Sequence, residues 1–258
     1  MFVRAVQALK MVWLNATFYP LLVIYTAVAV PALSLMVAGY ATFVPHRRAL
    51  RLFRQAIRWY GWGIVRVLPL PFLRVRYEDF SNSGDDGHGP FVVVCNHRSS
   101  SDPFLMGCLN LPEFVQVANS WPLRLPVWGI MARGAGYLCV NDMPAERFFE
   151  QAGALLRDGV SLVAFPEGTR ARGRDIGPFH GTVFRLALQE RAAIVPVCLA
   201  GSERTPARGT LRLCPGRVTV RRLPALRWET FRDISPFQLK THVRDLMGRE
   251  LAGMEAAS

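Results

Sequence analysis

The sequence predicts an α/β fold: a largely parallel mixed sheet covered by helices and preceded by N-terminal membrane-embedded or interfacial helices. Two patterns carry this prediction. Residues 11–45 contain no charged side chain, and after residue 70 short apolar runs alternate with segments of helical periodicity. Such alternation is typical of parallel strands that are joined by helices. We therefore divide the chain into a membrane segment with an amphipathic helix, residues 1–66, and an α/β domain with a C-terminal helix, residues 67–258.

The uncharged N-terminal run is 35 residues long, whereas about 20 residues suffice to cross the hydrocarbon core of a bilayer. Pro20 and Pro31 would kink or divide a helix here, so a re-entrant or shallow hairpin is an alternative to a straight span. A cleaved signal peptide fits less well, because its apolar region usually has about 7–15 residues. Basic residues are more numerous after the run than before it, which places the downstream side in the cytosol.

Residues 47–66 have the periodicity of an amphipathic helix. Its two faces carry Arg47, Arg51, Arg54 and Arg58 on one side and Leu50, Phe53, Ile57 and Ile64 on the other. Trp59 and Trp62 lie near its end. An Arg-rich face opposite an apolar face suits a helix that lies in the plane of the lipid headgroups. The alternative is a surface helix that packs on its own domain.

The chain is strongly basic, with 31 Lys and Arg against 19 Asp and Glu and a net charge of +12. This charge indicates an anionic partner, which could be a membrane surface, a nucleic acid or a phosphorylated ligand. Nearly all the basic residues are Arg, which reflects either phosphate recognition or the base composition of the genome. Because the Arg residues are scattered and an uncharged run has no use in a nucleic-acid-binding protein, we expect no nucleic-acid partner.

The five cysteines are odd in number and show no C-x-x-C spacing. We interpret them as buried reduced thiols, and not as a disulfide framework or a zinc site. Reduced thiols agree with a domain that faces the cytosol, where disulfides are rare.

Several elements of the α/β domain can be placed from their patterns. Strands are predicted at residues 72–80, 91–95, 136–140, 161–165 and 194–199, and helices at 144–159, 181–192 and 235–250. The runs at 91–95 and 161–165 are almost wholly apolar, which is typical of strands that are buried on both faces.

The first of these apolar strands leads into a polar stretch, Asn96–Pro103. Ligand-binding and catalytic groups collect where the strands of an open α/β sheet end. His97 could take a proton from a hydroxyl near neutral pH. Asp102 stands five residues later, where it could cap a helix that has Pro103 in its first turn, or fold back and orient the imidazole. The alternative is that Asp102 is only a cap and His97 only a loop residue.

The second apolar strand, 161–165, leads into Pro166–Arg170. Arg170 could clamp a phosphate, assisted by main-chain amides of the turn. The alternative is a solvent-exposed turn with a surface Arg.

Together, NHRSSSD at residues 96–102 and FPEGTR at residues 165–170 resemble the glycerolipid acyltransferase family, typified by 1-acyl-sn-glycerol-3-phosphate (lysophosphatidate) acyltransferase. LPVWGIMARGAGYLCV at 125–140 and IVPV at 194–197 extend the resemblance over roughly residues 70–220. The resemblance implies that His97 is the general base and that Asp102 orients it. It also implies that the acceptor is bound by Glu167, Gly168, Thr169, Arg170 and, in place of a family Lys, His180.

The resemblance implies transfer of a fatty acyl group from an acyl thioester to the free hydroxyl of a lysophospholipid, in phospholipid biosynthesis. The sequence has no G-x-S-x-G nucleophile elbow, so we expect direct transfer without an acyl-enzyme. The expected donor is acyl-CoA or an acylated acyl carrier protein. We expect no cofactor and no metal, since neither a P-loop nor a complete dinucleotide fingerprint occurs. Membrane lipids are expected partners, and the domain over residues 67–258 would face the cytosol at the cytoplasmic membrane.

Four residues depart from the family pattern. The Lys before the middle strand is Asn119, the Asp-Arg pair after it is Asn141 and Asp142, and the Lys of P-F-K-x-G is His180. Lysophosphatidate, which would give phosphatidate, remains the first acceptor to consider. Another lysophospholipid or hydroxylated lipid is the alternative, and a lipid hydrolase or a non-catalytic membrane-bound protein is a more distant one.

Overall fold

From residue 91 onwards, helices separate the consecutive strands, as the sequence pattern predicts. The structure, a computed structural model, describes residues 2–81, 89–111, 113–171, 173, 175–206 and 209–256. The helices are α1 (Phe2–Ala41), α2 (His46–Arg66), α3 (Asp102–Leu105), α4 (Ser120–Leu123), α5 (Trp128–Gly134), α6 (Ala145–Arg157), α7 (Thr182–Gln189), α8 (Trp228–Phe231) and α9 (Pro236–Ala256). The strands are β1 (Leu73–Asp79), β2 (Phe91–Cys95), β3 (Phe114–Ala118), β4 (Leu138–Cys139), β5 (Ser161–Ala164), β6 (Ala193–Ala200) and β7 (Gly216–Arg222). Short 3₁₀ helices span Met106–Cys108 and Ser202–Arg204.

The described strands form one seven-stranded sheet in the order β1-β7-β6-β2-β5-β3-β4. β2 runs parallel to both β5 and β6, with Val94 opposite Ala164 of β5. β3 runs parallel to β5 and to β4, whereas Ile194 and Leu226 form an antiparallel bridge. The prediction of a largely parallel mixed sheet with covering helices is confirmed.

The chain divides into two compact units. The first comprises Met1–Tyr77, Arg98–Leu109 and Ala200–Val220, and the second comprises Glu78–His97, Asn110–Leu199 and Arg221–Ser258. Helices α1 to α3 belong to the first unit, whereas β2 to β5 and α4 to α9 belong to the second. The chain therefore passes from the second unit into the first between His97 and Arg98.

In the first unit, α1 is one continuous helix that contains both Pro20 and Pro31. The prolines therefore do not divide the apolar run into a hairpin. By length and composition, the Arg4–Ala41 part of this helix could cross a membrane. α1 packs against α2, where the rings of Tyr25 and Tyr60 stack with their centroids 5.3 Å apart.

Many large apolar side chains of the first unit are exposed. They include Leu9, Val12, Trp13, Leu21, Val23, Ile24, Val28, Leu35 and Met36 on α1 and Trp59 and Trp62 on α2. An extended exposed apolar surface marks a site of contact with a membrane or with another protein.

The predicted helix over residues 47–66 is present as α2, but its Arg-rich face is not uniformly exposed. Arg54 is buried, and Nη2 of Arg58 donates a hydrogen bond to the main-chain O of Leu109 at 2.7 Å. Arg47 and Arg51 are exposed. Because long Arg stems pack along apolar surface while the head finds an acceptor, Arg54 and Arg58 face protein where the periodicity alone predicts headgroups.

In the second unit, β2 is buried along its whole length, as its uninterrupted apolar sequence predicts. Helix α9 contributes a buried stripe at helical spacing, formed by Leu239, Val243, Met247, Leu251 and Met254. All five cysteines are free thiols; three are buried, and Cys108 and Cys214 are half-buried. The expected burial holds for three of the five.

The sequence pattern misses two strands, β3 and β7, and overestimates the length of a third, β4. The apolar run of β3 is interrupted by Gln116, whose side chain is nevertheless buried, and arginines surround the alternating core of β7. The predicted strand over 136–140 shortens to Leu138–Cys139. Gly136 adopts a φ of 78°, so the left-handed turn that follows α5 occupies the start of the predicted strand.

Candidate active site

The two predicted motifs follow neighbouring strands of the second unit. β2 leads into His97 and β5 leads into the Pro166–Arg170 turn, and the two strands run parallel with Val94 opposite Ala164. Because parallel neighbours end at the same edge of a sheet, segments that are 70 residues apart along the chain meet there.

The carboxylate of Glu167 joins three segments at this edge. Its Oε1 accepts the main-chain N–H of His97 at 2.7 Å, and its Oε2 accepts the main-chain N–H of Gly177 at 2.8 Å. A main-chain hydrogen bond from Ala171 N–H to His97 O, at 2.8 Å, connects the same loops. Glu167 is only 7% exposed. It therefore holds the main chain at His97, and both of its oxygens already accept main-chain hydrogen bonds.

The imidazole of His97 is half-exposed and lies beside the ring of Phe165, with the ring centroids 4.7 Å apart. The preceding residue, Asn96, is buried and exchanges two hydrogen bonds with the main chain of Leu199 in β6. Asn96 Nδ2 donates to Leu199 O at 3.0 Å, and Leu199 N–H donates to Asn96 Oδ1 at 2.7 Å. The end of β2 is therefore fixed to β6 immediately before His97.

The turn after β5 depends on a glycine. Gly168 has a φ of 66°, a backbone conformation that residues other than glycine rarely adopt. A Cβ at this position would lie 3.2 Å from Nε2 of His180. His180 is exposed, lies against the turn, and donates its main-chain N–H to Pro166 O at 2.8 Å. Thr169 is exposed and Arg170 is half-buried. Arg170 thus belongs to this turn, and the ring of His180 lies against it.

Asp102 belongs to the first unit, where it is fully buried. The predicted N-cap role is wrong: Asp102 is the first residue of α3, and Ser101 precedes the helix. Its Oδ2 instead accepts the main-chain N–H groups of Arg98 and Ser99, at 2.6 and 2.7 Å. The carboxylate has thus folded back onto the turn that directly follows His97 in the chain, as the spacing allows.

Two of the departures from the family pattern contact each other in the second unit. Nδ2 of Asn141 donates to Oδ1 of Asn119 at 2.5 Å, and that oxygen also accepts the N–H of Ser120 at 3.0 Å. A main-chain N–H can only donate, so it fixes which atom of Asn119 is the oxygen. A Lys and an Asp at these two positions would carry opposite charges. The exchange for two neutral amides therefore leaves the local charge unchanged, and only Asp142 and His180 alter it.

Of the sequence-predicted residues, the second unit brings together His97, Glu167, Gly168 and His180. Asp102 is held within the first unit. Among the described residues, no group of three or more His, Cys, Asp and Glu side chains is placed to hold a metal ion. The arrangement offers an imidazole at a strand end and, beside it, a turn that carries the guanidinium of Arg170, which suits base-assisted chemistry on an anionic ligand.

Sequence reasoning gave no role to three residues of the site, Asn96, Phe165 and Gly177, although the first two belong to the quoted motifs. An amide directly after a wholly apolar strand is a signal for Asn96, because a polar group there needs partners. Phe165 belongs to the strand pattern and carries no separate signal. Gly177 contributes only its main-chain N–H, which no residue pattern reveals.

Residues 73–200 match the model of the Acyltransferase family. A 1-acyl-sn-glycerol-3-phosphate acyltransferase of Limnanthes douglasii is 27% identical over 190 residues, which are 64% of this chain and 68% of that protein. A lyso-ornithine lipid O-acyltransferase of Pseudomonas aeruginosa is 29% identical over 180 residues, 66% of this chain and 64% of that protein.

A solved structure shares the fold. The crystal structure of the 1-acyl-sn-glycerophosphate acyltransferase of Thermotoga maritima matches with a TM-score of 0.76 and 19% sequence identity, covering 97% of this chain and 98% of that chain. The similarity therefore includes the N-terminal helices as well as the α/β part.

Proposed function

Because this chain belongs to the Acyltransferase family and is an O-acyltransferase, we propose that it acylates 1-acyl-sn-glycerol-3-phosphate to phosphatidate in phospholipid biosynthesis. The acyl group comes from a thioester, either acyl-CoA or an acylated acyl carrier protein. One observation carries the proposal: the loop that bears His97 and the Pro166–Arg170 turn are hydrogen-bonded to each other at the ends of β2 and β5. The Limnanthes relative, named for this acceptor, supports the choice of substrate.

In the proposed mechanism, His97 is the general base. Its imidazole takes the proton from the acceptor hydroxyl as that oxygen attacks the thioester carbonyl carbon. The new C–O bond forms, the C–S bond breaks, and the imidazolium returns the proton to the departing thiolate. The products are an ester and a free thiol, so no acyl-enzyme and no cofactor are required.

We assign Asp102 to orienting the imidazole and stabilising the imidazolium, as the family resemblance implies. Its support is the way in which the carboxylate folds back onto the N–H groups of Arg98 and Ser99. Those two residues directly follow His97 in the chain.

The acceptor phosphate is assigned to the turn after β5. Arg170 supplies a guanidinium whose planar fork can bind a phosphate through two hydrogen bonds, and the exposed ring of His180 lies beside the same turn. Glu167 contributes differently, because its carboxylate already binds main-chain N–H groups on two sides. We therefore assign Glu167 to holding the main chain of the site and Arg170 to binding the acceptor phosphate.

A second acceptor has support from the same region. Asp142 and His180 stand where the family pattern has cations, and the Pseudomonas relative is named for a lyso-ornithine lipid. A lysolipid whose head group is not a phosphate monoester is therefore the alternative acceptor, with the same transfer chemistry.

We further propose that the enzyme works at the cytoplasmic membrane with the second unit on the cytosolic side. The exposed apolar side chains of α1 support membrane contact. The Arg residues that follow α1 support the cytosolic orientation.

An acceptor screen tests the proposal. The purified full chain is incubated with one isotopically labelled acyl-CoA and a panel of lysolipids, and the products are identified by mass spectrometry. We expect labelled phosphatidate from lysophosphatidate. Labelled product from lyso-ornithine lipid alone would favour the second acceptor, and labelled free fatty acid without any acylated lipid would indicate a hydrolase.

A further inference from the structure

One polar side chain of α1 has no part in the proposed chemistry. Asn15 lies within the uncharged run, where a polar group is costly unless it finds partners. Its Nδ2 donates to the main-chain O of Met11 at 2.7 Å and of Leu213 at 2.8 Å, and its Oδ1 accepts the N–H of Leu213 at 2.9 Å. Asn15 thus binds both main-chain polar atoms of a residue that is 198 positions away.

Neighbouring contacts strengthen this attachment within the first unit. The side chains of Leu14 and Leu213 are both buried. The hydroxyl of Tyr19, one helical turn after Asn15, donates to the main-chain O of Leu211. One face of α1 therefore holds residues 211–213 over a full turn of helix.

Residues 211–213 end a longer stretch, which we call the docking segment and define as residues 202–206 and 209–213. A hydrogen bond joins its two parts: the N–H of Cys214, the residue directly after the segment, donates to the main-chain O of Arg204 at 3.1 Å. A change in the position of Leu213 is therefore transmitted to residues 202–206.

The other end of the docking segment contacts the turn that leads to Asp102. Ser99 Oγ donates to the main-chain O of Pro206 at 3.3 Å, and Ser101 Oγ lies 3.3 Å from Thr205 Oγ1. Ser99 also donates its N–H to Asp102, so the same residue touches both the docking segment and the carboxylate.

An ion pair between a buried Arg and a half-buried Glu makes a further connection. Nη1 of Arg98, whose residue is 3% exposed, lies 3.5 Å from Oε2 of Glu203. A buried guanidinium depends on such a partner, because removal of one member leaves an uncompensated charge. Arg98 also donates its main-chain N–H to Asp102, so displacement of Glu203 would disturb the carboxylate.

We propose that Asn15 is a positioning residue: through the docking segment it makes α1 hold the turn that carries Asp102. The helix then supports catalysis through the docking segment, in addition to any contact with a membrane. The catalytic part of this inference rests on the proposed function, which gives Asp102 its role.

The test uses the purified full chain in detergent micelles with limited trypsin digestion. Asn15→Leu removes both hydrogen bonds to Leu213. The matched control is Thr17→Val, because Thr17 Oγ1 donates to carbonyls of its own helix, those of Trp13 and Leu14. Mass spectrometry follows cleavage after the exposed Arg204 or Arg212, relative to cleavage after an exposed Arg of the second unit.

We expect Asn15→Leu to raise relative cleavage within the docking segment about tenfold or more, because the variant loses two hydrogen bonds that stabilise the attachment of this segment to α1. Acyl transfer should fall about fivefold or more in kcat, with little change in KM. Thr17→Val should match the wild type in both measurements. Asn15→Asp keeps the acceptor for the Leu213 N–H and loses the donor, so its cleavage ratio and its kcat should lie between those of the wild type and Asn15→Leu. It replaces Asn15→Leu if that variant does not fold.

Wild-type cleavage in both Asn15 variants would overturn the attachment, and raised cleavage with unchanged kcat would overturn the positioning role. Absence of transfer in the wild type would count against the proposed function. It would leave the attachment of the docking segment to be judged by the cleavage ratio.

Discussion

Replacement of Glu167 by Gln separates two roles for this carboxylate. The side chain is buried and accepts the N–H of His97 through one oxygen and that of Gly177 through the other. A Gln keeps one acceptor and turns an NH₂ group towards the second N–H, so one buried donor loses its partner at a cost of about 1–3 kcal/mol. Since about 1.4 kcal/mol corresponds to a tenfold change in rate, a displaced His97 should lower kcat by about five- to hundredfold.

Steady-state kinetics with varied lysophosphatidate checks this expectation, with Glu150→Gln on the exposed face of α6 as the control. We expect Glu167→Gln to reduce kcat and to leave KM within about twofold, because an interaction that positions the base does not bind the acceptor. A large rise in KM at unchanged kcat would refute the reasoning. Such a result would show that Glu167 binds the acceptor directly.

Three further predictions concern charge. His180→Lys should lower KM for lysophosphatidate, because it restores the Lys of the family pattern beside the turn that carries Arg170 and so adds a cation for the phosphate; a KM equal to that of the wild type would exclude a phosphate contact. Burial raises the pKa of the Cys108 thiol to about 11, so alkylation of Cys108 in the native protein should be slow at pH 8 and should accelerate towards pH 11. Mass spectrometry measures the extent of alkylation, and rapid alkylation at pH 8 would contradict the prediction. A variant with Gln in place of Arg47, Arg48 and Arg51 should bind anionic vesicles more weakly than the wild type, by about 1 kcal/mol per residue, and should bind neutral vesicles equally well. Co-sedimentation with anionic vesicles at the wild-type level would show that α2 does not contact lipid headgroups.

The pH dependence of stability at Cys108 follows from the same burial. The folded protein holds the thiol proton more tightly than the unfolded chain, whose thiol has a pKa of about 8.5. This contribution is fully present below the unfolded pKa and is lost as the pH rises towards about 11. Thermal unfolding of wild type and Cys108→Ser between pH 8 and 10.5 should therefore diverge, with the wild type losing more stability.

Hydrophobic patterning predicts the centre of the fold well, because the buried strands are dictated by which residues avoid water. β2 is wholly apolar and β5 is apolar except for Ser161, and both strands appear within one residue of the predicted bounds. The same reasoning fails at β3, where a buried Gln116 breaks the run. Burial of an amide depends on partners supplied by other segments, and these are invisible in a local pattern.

The site is predictable in kind but not in detail. The position of both motifs at strand ends is a local property of the chain, and the parallel register of β2 and β5 brings them together. The double use of the Glu167 carboxylate is not local, because it depends on the path of the loop that contains Gly177. For the same reason, helical periodicity predicts that Arg54 is exposed, whereas the packing of the first unit buries it.

The central claim, that His97 is the base for acyl transfer, is tested most directly by the rate of phosphatidate formation with His97→Ala. A general base contributes about 10²–10⁴-fold, so the variant should retain less than about 1% of wild-type kcat while remaining folded and bound to vesicles. His242→Ala, an exposed histidine of α9, should match the wild type. Retention of more than about a tenth of the wild-type rate by His97→Ala would contradict the claim.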